Sequence, residues 1–243
     1  TAMVLAGSIG HGTYVPEHID DIDVLGVYLP TSDELLGILP GPRHWVVSKE
    51  AGRLDGTFYS LQRALYLLTK SNPNLMPLLF VDTTDFLTLT DPWRRVIEAR
   101  SLFVTKEFYR SLEGYARSQF RDMSKTVYEG YMGQKRRALV DRYGYDTKHA
   151  AHTIRILRMG IELMRTGSMN IDRTGIDADE LLAMKLGSLS RDDMFAVADE
   201  HFVIFEAAVD DANLPERIDR EAVNALCISI LKDLPLFSES AGY

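Results

Sequence analysis

The stretch that decides the fold runs from Val4 to Tyr28 and reads VLAGSIGHGTYVPEHIDDIDVLGVY. A short apolar run, Met3 to Ala6, ends at Gly7-Ser8. A glycine-punctuated turn follows through Gly10, Gly12 and Thr13, and a second apolar run carries Asp21 and Asp23 at alternating positions. Side chains two apart on a strand point the same way, so both carboxylates are expected on one face, with Ile22 and Val24 buried on the other. Adjacent carboxylates repel unless a cation sits between them, and a hard divalent ion such as Mg²⁺ accepts one or two while leaving room for phosphate oxygens. The glycine-rich turn presents backbone N–H groups and the Ser8 hydroxyl without side-chain obstruction, which suits a triphosphate. The plainer alternative is a hairpin with acidic residues on its wet face.

Gly7-Ser8, a spacer and then Asp21-x-Asp23 on the following strand resemble the signature of the DNA polymerase beta-type nucleotidyltransferase superfamily. The continuation Asp23-Val24-Leu25-Gly26-Val27-Tyr28 is most similar to the bacterial and phage nucleotidyltransferases associated with RNA repair. In that family an acidic residue four positions before a tyrosine, entering a helix, supplies the third metal-site carboxylate. Asp55 matches through Asp55-x-x-x-Tyr59-x-Leu61, and its alternative role is a helix cap. The helix is expected to reach about Lys70, with Phe58, Leu61, Leu65 and Leu68 at helical spacing. Asn72-Pro73 also resembles the family, but Pro77 stands where the family commonly has a glutamate, so Asn72 reads as a cap. The resemblance also implies a helix ahead of the first strand; the sequence opens almost directly on that strand, so a trimmed N-terminus is expected.

A second anchor lies at Tyr143 to Arg158. Its run Asp146-x-Lys148-His149-Ala150-x-His152, followed by Ile154-Arg155, is likewise similar to the RNA-repair branch. At 100° per residue, Lys148, His152, Arg155 and Met159 share one stripe, and Ala150, Ile154, Leu157 and Ile161 lie nearly opposite. The helix is therefore expected to bury one face and show a cationic one, capped by Asp146 or Thr147. His149 and His152 have i,i+3 spacing, but zinc needs two further nitrogen or sulfur ligands, and the single cysteine, Cys227, lies in an apolar run. Packing or phosphate contact is the better reading for both.

The totals bound the rest. At 243 residues, 46% of them hydrophobic and 26% charged, the chain suits one large or two small domains with a substantial core. No apolar run is long enough to span a membrane and no signal peptide is evident, so a cytoplasmic protein without membrane partners is expected. The net charge of −8 argues against indiscriminate coating of nucleic acid. Between Lys135 and Arg158, however, seven basic residues face two acidic ones, a local +5 that leaves −13 for the remainder. That asymmetry suits a focused anionic ligand.

These readings give an α+β fold: a small mixed sheet with flanking helices over residues 1–90, an all-helical region over 91–233 that closes the cleft, and a tail from 234. The resemblance implies metal-dependent transfer of a nucleoside monophosphate from a nucleoside triphosphate to an acceptor hydroxyl, an RNA end by family association, with release of pyrophosphate. Asp21, Asp23 and Asp55 would hold two Mg²⁺ ions, or Mn²⁺ in their place. Gly7, Ser8, Lys148, His152 and Arg155 would bind the nucleotide, with Arg63 facing the phosphates from the helix after Asp55. The alternatives are a nucleotide-binding regulator with a vestigial site, serving a toxin or defence protein, and nucleotidylation of a protein or small molecule.

Overall fold

The structure is a computed structural model that describes residues 1–14, 22–36, 38, 41, 44–47, 54–124 and 134–233. Among them, five strands form one mixed sheet: β1 (Ala2–Leu5), β2 (Ile22–Tyr28), β3 (His44–Val47), β4 (Leu54–Ser60) and β5 (Phe86–Leu89), in the order β3-β4-β2-β1-β5. β2 and β4 run parallel and every other neighbouring pair is antiparallel. Ala2, Val4, Leu25 and Val27 share a face by register, and three of them, Ala2, Val4 and Val27, belong to the main core. On the reverse face the Phe58 ring lies over Gly26 and Gly56, whose missing side chains leave it room.

Three local expectations change. Ile22 is 37% exposed, because β1 accompanies β2 only as far as the Leu5–Val24 pair and leaves the start of β2 uncovered on that side. Asp55 lies on a strand, since parallel pairing with β2 holds β4 extended to Ser60. The following helix, α3 (Leu61–Leu68), is capped by the Ser60 hydroxyl, which accepts the Arg63 N–H at 3.3 Å. Edge strand β5 was not anticipated from its short Phe-Leu-Thr-Leu sequence; it exists because β1 offers it an edge.

The remaining helices are α1 (Gly7–Gly10), α2 (Ser32–Leu36), α4 (Asp91–Glu98), α5 (Glu107–Ser124), α6 (Gln134–Tyr143), α7 (Thr147–Thr166), α8 (Ala178–Lys185), α9 (Arg191–Asp210) and α10 (Arg220–Lys232). Met76–Leu79 and Arg100–Leu102 are 3₁₀ turns, whereas the sequence reads as a helix over 75–81 and as a short extended link at Leu102 and Phe103. Caps at Asp146, Ser190 and Asp219 and a left-handed Gly167 set the ends of α7, α9 and α10 where the sequence signals them. The sequence reads as a helix from Lys106 to Met132, of which the part beyond Ser124 lies outside the described residues.

α7 is the spine of the helical region, packed against α5, α8 and α9. At Gly160 a Cβ would fall 2.5 Å from Leu112 of α5 and 2.7 Å from Phe205 of α9, so only glycine lets the three helices close together. α7 accordingly buries Ala150, Ile154, Leu157 and Ile161 on one side and Met159 on the other. The main core is continuous from Val4 of β1 through Leu61, Trp93 and Leu157 to Ile230 of α10. No helix among the described residues is long and apolar enough to cross a membrane.

Candidate active site

Asp23 of β2 and Asp55 of β4 are direct register partners in the parallel pair. Register partners on parallel strands carry their side chains on the same face, about 5 Å apart. Both line one cavity, as do Thr57 and Tyr59, which follow Asp55 at alternating positions. Both aspartates stand near the N-terminal ends of their strands, where antiparallel β1 ends and feeds the turn of α1. Gly7 opens that turn in the left-handed region at φ 57°, and a Cβ there would sit 1.8 Å from Asp23 Oδ2. The Asp23 carboxylate is therefore seated against the bare backbone of Gly7. Asp21 lies outside the described residues, among which no cluster of three metal-ligating side chains forms.

The cavity has a volume of about 510 Å³ and lies between the sheet, the Pro73–Val81 segment, α5 and α7. Its apolar lining includes Phe108, Leu112, Ile156 and Met159. The polar part of the helical wall is built by three side chains. Arg155 donates from Nη2 to His152 Nδ1 at 2.7 Å, and His152 Nε2 lies 3.1 Å from the Tyr115 hydroxyl. Burial, with the charges of His149 and Lys148, pushes the His152 pKa down to about 4, so the ring is neutral near pH 7. Burial and the charge of Arg173, opposed by Asp177, bring Arg155 down to about 9. Arg155 still carries its charge near neutrality, and among the described residues no carboxylate pairs with it within 4.0 Å. By contrast, Arg158 is held by Asp177 and Glu180, and Arg173 by Glu162 and Asp177.

The turn after α1 is fastened to the helical region. His11 Nδ1 donates to the Ile171 carbonyl at 2.9 Å, and the Arg173 N–H donates to the His11 carbonyl at 3.2 Å. Lys185 Nζ, its pKa lowered by burial and by the neighbouring Lys148 and Arg155, donates to the Thr13 carbonyl at 3.1 Å. The glycine turn beside Asp23 is thus tied to the helical region that forms the far wall of the cavity.

The structure brings Gly7, Asp23, Asp55, His152 and Arg155 to one cavity. Ser8 follows Gly7 on the same turn but is not among the lining residues, and neither are Lys148 or Arg63. Lys148 is exposed on the first turn of α7, while Arg63 lies over the Tyr66 ring at 5.5 Å. His149 bonds through Nδ1 to Asp146 at 3.0 Å, closing the cap of its own helix. Of the stripe on α7 expected to show a cationic face, His152, Arg155 and Met159 line the cavity, while Lys148, one turn nearer the helix start, stays exposed outside it. Tyr115, His11, Asn74 and Pro77 line the cavity without having been singled out as site residues. Only His11, set among glycines, carried a signal that could have placed it there.

In-register carboxylates beside a glycine turn, facing a cationic helix across a cleft, form the arrangement expected of a polymerase beta-type nucleotidyltransferase. The family comparison agrees with that class over nearly the whole chain. Residues 3–229 match the RlaP family, described as the RNA repair pathway DNA polymerase beta family, and the chain belongs to it. Among curated proteins and among solved structures, none matches.

Proposed function

We propose that this protein transfers a nucleoside monophosphate from a nucleoside triphosphate to an acceptor hydroxyl, with an RNA end as acceptor. The observation that carries the proposal is the Asp23–Asp55 register pair, opening into the same cavity as Arg155, which no carboxylate among the described residues contacts within 4.0 Å. Family membership supports the RNA end.

Asp23 and Asp55, with Asp21 two positions before Asp23 in the sequence, are the residues that would hold Mg²⁺. Oxygen-only donors of this kind suit hard divalent ions, and the ion, when bound, offsets phosphate charge and lowers the pKa of a coordinated hydroxyl. The acceptor oxygen forms a bond to the α-phosphorus, the α–β bridging P–O bond breaks, and its electron pair leaves on pyrophosphate. The hydroxyl proton is lost to water. Gly7 gives phosphate oxygens access to backbone N–H groups beside Asp23, and the charge of Arg155 opposes the negative charge that builds on the leaving group.

The test is incubation with each labelled nucleoside triphosphate, Mg²⁺ and a mixture of RNA and protein substrates, following both pyrophosphate and the label. Label in RNA is the expected result. Label in protein or in a small molecule redirects the acceptor. No pyrophosphate with any triphosphate leaves only a nucleotide-binding regulator. Asp23→Asn and Asp55→Asn variants are each expected to abolish release while melting cooperatively; turnover at the wild-type rate in either one sinks the assignment.

A further inference from the structure

The helical wall carries a direction that follows from hydrogen-bond chemistry alone. A guanidinium has donors and no acceptor. The 2.7 Å contact from Arg155 Nη2 therefore makes His152 Nδ1 the acceptor. A neutral imidazole has one proton, so it resides on Nε2. Across 3.1 Å, Nε2–H then donates to the oxygen of Tyr115. The Tyr115 O–H is left over. Among the described residues that hydroxyl has no second hydrogen-bond partner, and Tyr115 lines the same cavity as Asp23 and Asp55. The two rings meet edge to face, with centroids 5.8 Å apart and planes at 87°, which fixes the phenol against the imidazole.

We infer that Tyr115 is the outward donor of this wall and binds an anionic phosphate oxygen of the bound nucleotide, with His152 as the positioning residue that sets the direction of its proton. This rests on the nucleotide reading above and deepens it. Both outward groups of the wall, the Tyr115 O–H and the remaining Arg155 N–H bonds, donate, so a ligand there has to bring acceptors. A nucleobase carbonyl would satisfy the phenol, but the positive charge of Arg155, which no carboxylate among the described residues contacts within 4.0 Å, favours an anion. His152 makes no ligand contact, because both its ring nitrogens are engaged within the protein. Its part is to prevent Tyr115 from turning its proton inward.

Three measurements on the full chain test this. Proton-coupled ¹⁵N spectra of histidine-labelled protein at pH 7 are expected to show His152 as the Nε2–H tautomer; an Nδ1–H tautomer overturns the inference whatever the variants do. Titration with inorganic tripolyphosphate and Mg²⁺ is expected to show Tyr115→Phe binding about tenfold more weakly, the usual worth of a hydrogen bond to a charged oxygen. Adenosine, which lacks phosphate, is expected to bind the variant and the wild type alike. His152→Leu is expected to reproduce the loss, and the double variant to add nothing further, since the two residues act as one device. Equal tripolyphosphate affinity in wild type and Tyr115→Phe overturns the inference while leaving the nucleotide reading intact, as does an equal loss for adenosine. A wild-type protein that binds neither tripolyphosphate nor any nucleoside triphosphate overturns the nucleotide reading and this inference with it.

Discussion

Replacing Gly7 with alanine probes the seat of Asp23 directly. Two penalties follow from the structure. The first is conformational: alanine at φ 57° costs about 1–2 kcal/mol relative to glycine. The second is steric: the new Cβ would stand 1.8 Å from Asp23 Oδ2 and 2.7 Å from its Cγ, whereas real Cβ contacts essentially never fall under 3.0 Å. The carboxylate oxygen has to retreat by at least the 1.2 Å difference between 3.0 and 1.8 Å, or the turn has to move by as much. A displacement of about 1 Å at a reacting centre costs on the order of 10²-fold in rate. Gly7→Ala is therefore expected to lower kcat/KM for pyrophosphate release about a hundredfold. Its melting midpoint is expected to drop by roughly 2–8 °C, at about 2–4 °C per kcal/mol for a chain of this size. Gly144→Ala is the matched control, because Gly144 has φ 78° and open space where the Cβ would go. It is expected to lose about as much stability as the conformational penalty dictates and no turnover. If Gly7→Ala and Gly144→Ala turn over alike, the argument that Gly7 exists to seat Asp23 is refuted.

Other predictions concern the frame around the site. Arg173 is 1% exposed and holds Glu162 at 2.7 Å and Asp177 at 2.6 Å. Arg173→Met is expected to cost about 3 kcal/mol in urea unfolding, at the low end for a broken buried pair, because Asp177 keeps Arg158 at 2.9 Å; a loss under about 1 kcal/mol contradicts this. His152 links folding to acid. Its pKa falls from 6.5 to about 4 on folding, chiefly by burial and then by His149 and Lys148. Between those values the unfolded chain binds a proton that the folded chain refuses. The contribution is complete above pH 6.5 and is lost as pH falls towards 4, where it amounts to at most about 3 kcal/mol. Wild type is expected to lose that much more stability than His152→Gln between pH 7 and pH 4; parallel pH curves refute it. Cys227, whose pKa burial raises, is expected to react with iodoacetamide at pH 8 more slowly than a free cysteine, and equal rates contradict its burial.

The parts legible in the sequence were those written locally. Gly7-Ser8 and the Asp21/Asp23 alternation marked a strand, a turn and a strand, and Asp146, Gly167 and Asp219 marked helix ends, because caps act within three or four residues. What pairing decides at long range was not legible. Phe58, Leu61, Leu65 and Leu68 continue a helical spacing back across Ser60, and it is pairing with β2, some thirty residues earlier, and with β3 that makes Leu54–Ser60 a strand. β5 depends in the same way on the free edge of β1. Helical spacing on α7 correctly grouped His152 with Arg155 but did not say what they face. The answer comes from α5, whose Tyr115 had no local mark separating it from an ordinary core aromatic.

The fastening of the first turn to the helical region has a consequence for how the protein is made. Thr13 and His11 emerge early in synthesis, yet the groups that grip them, at Ile171, Arg173 and Lys185, emerge about 160 residues later. A nascent chain has its carboxylates long before it has a pocket to put them in. Competence arrives with the last third of the polypeptide, so a ribosome-bound fragment stalled before that point carries the acidic residues without the means to use them.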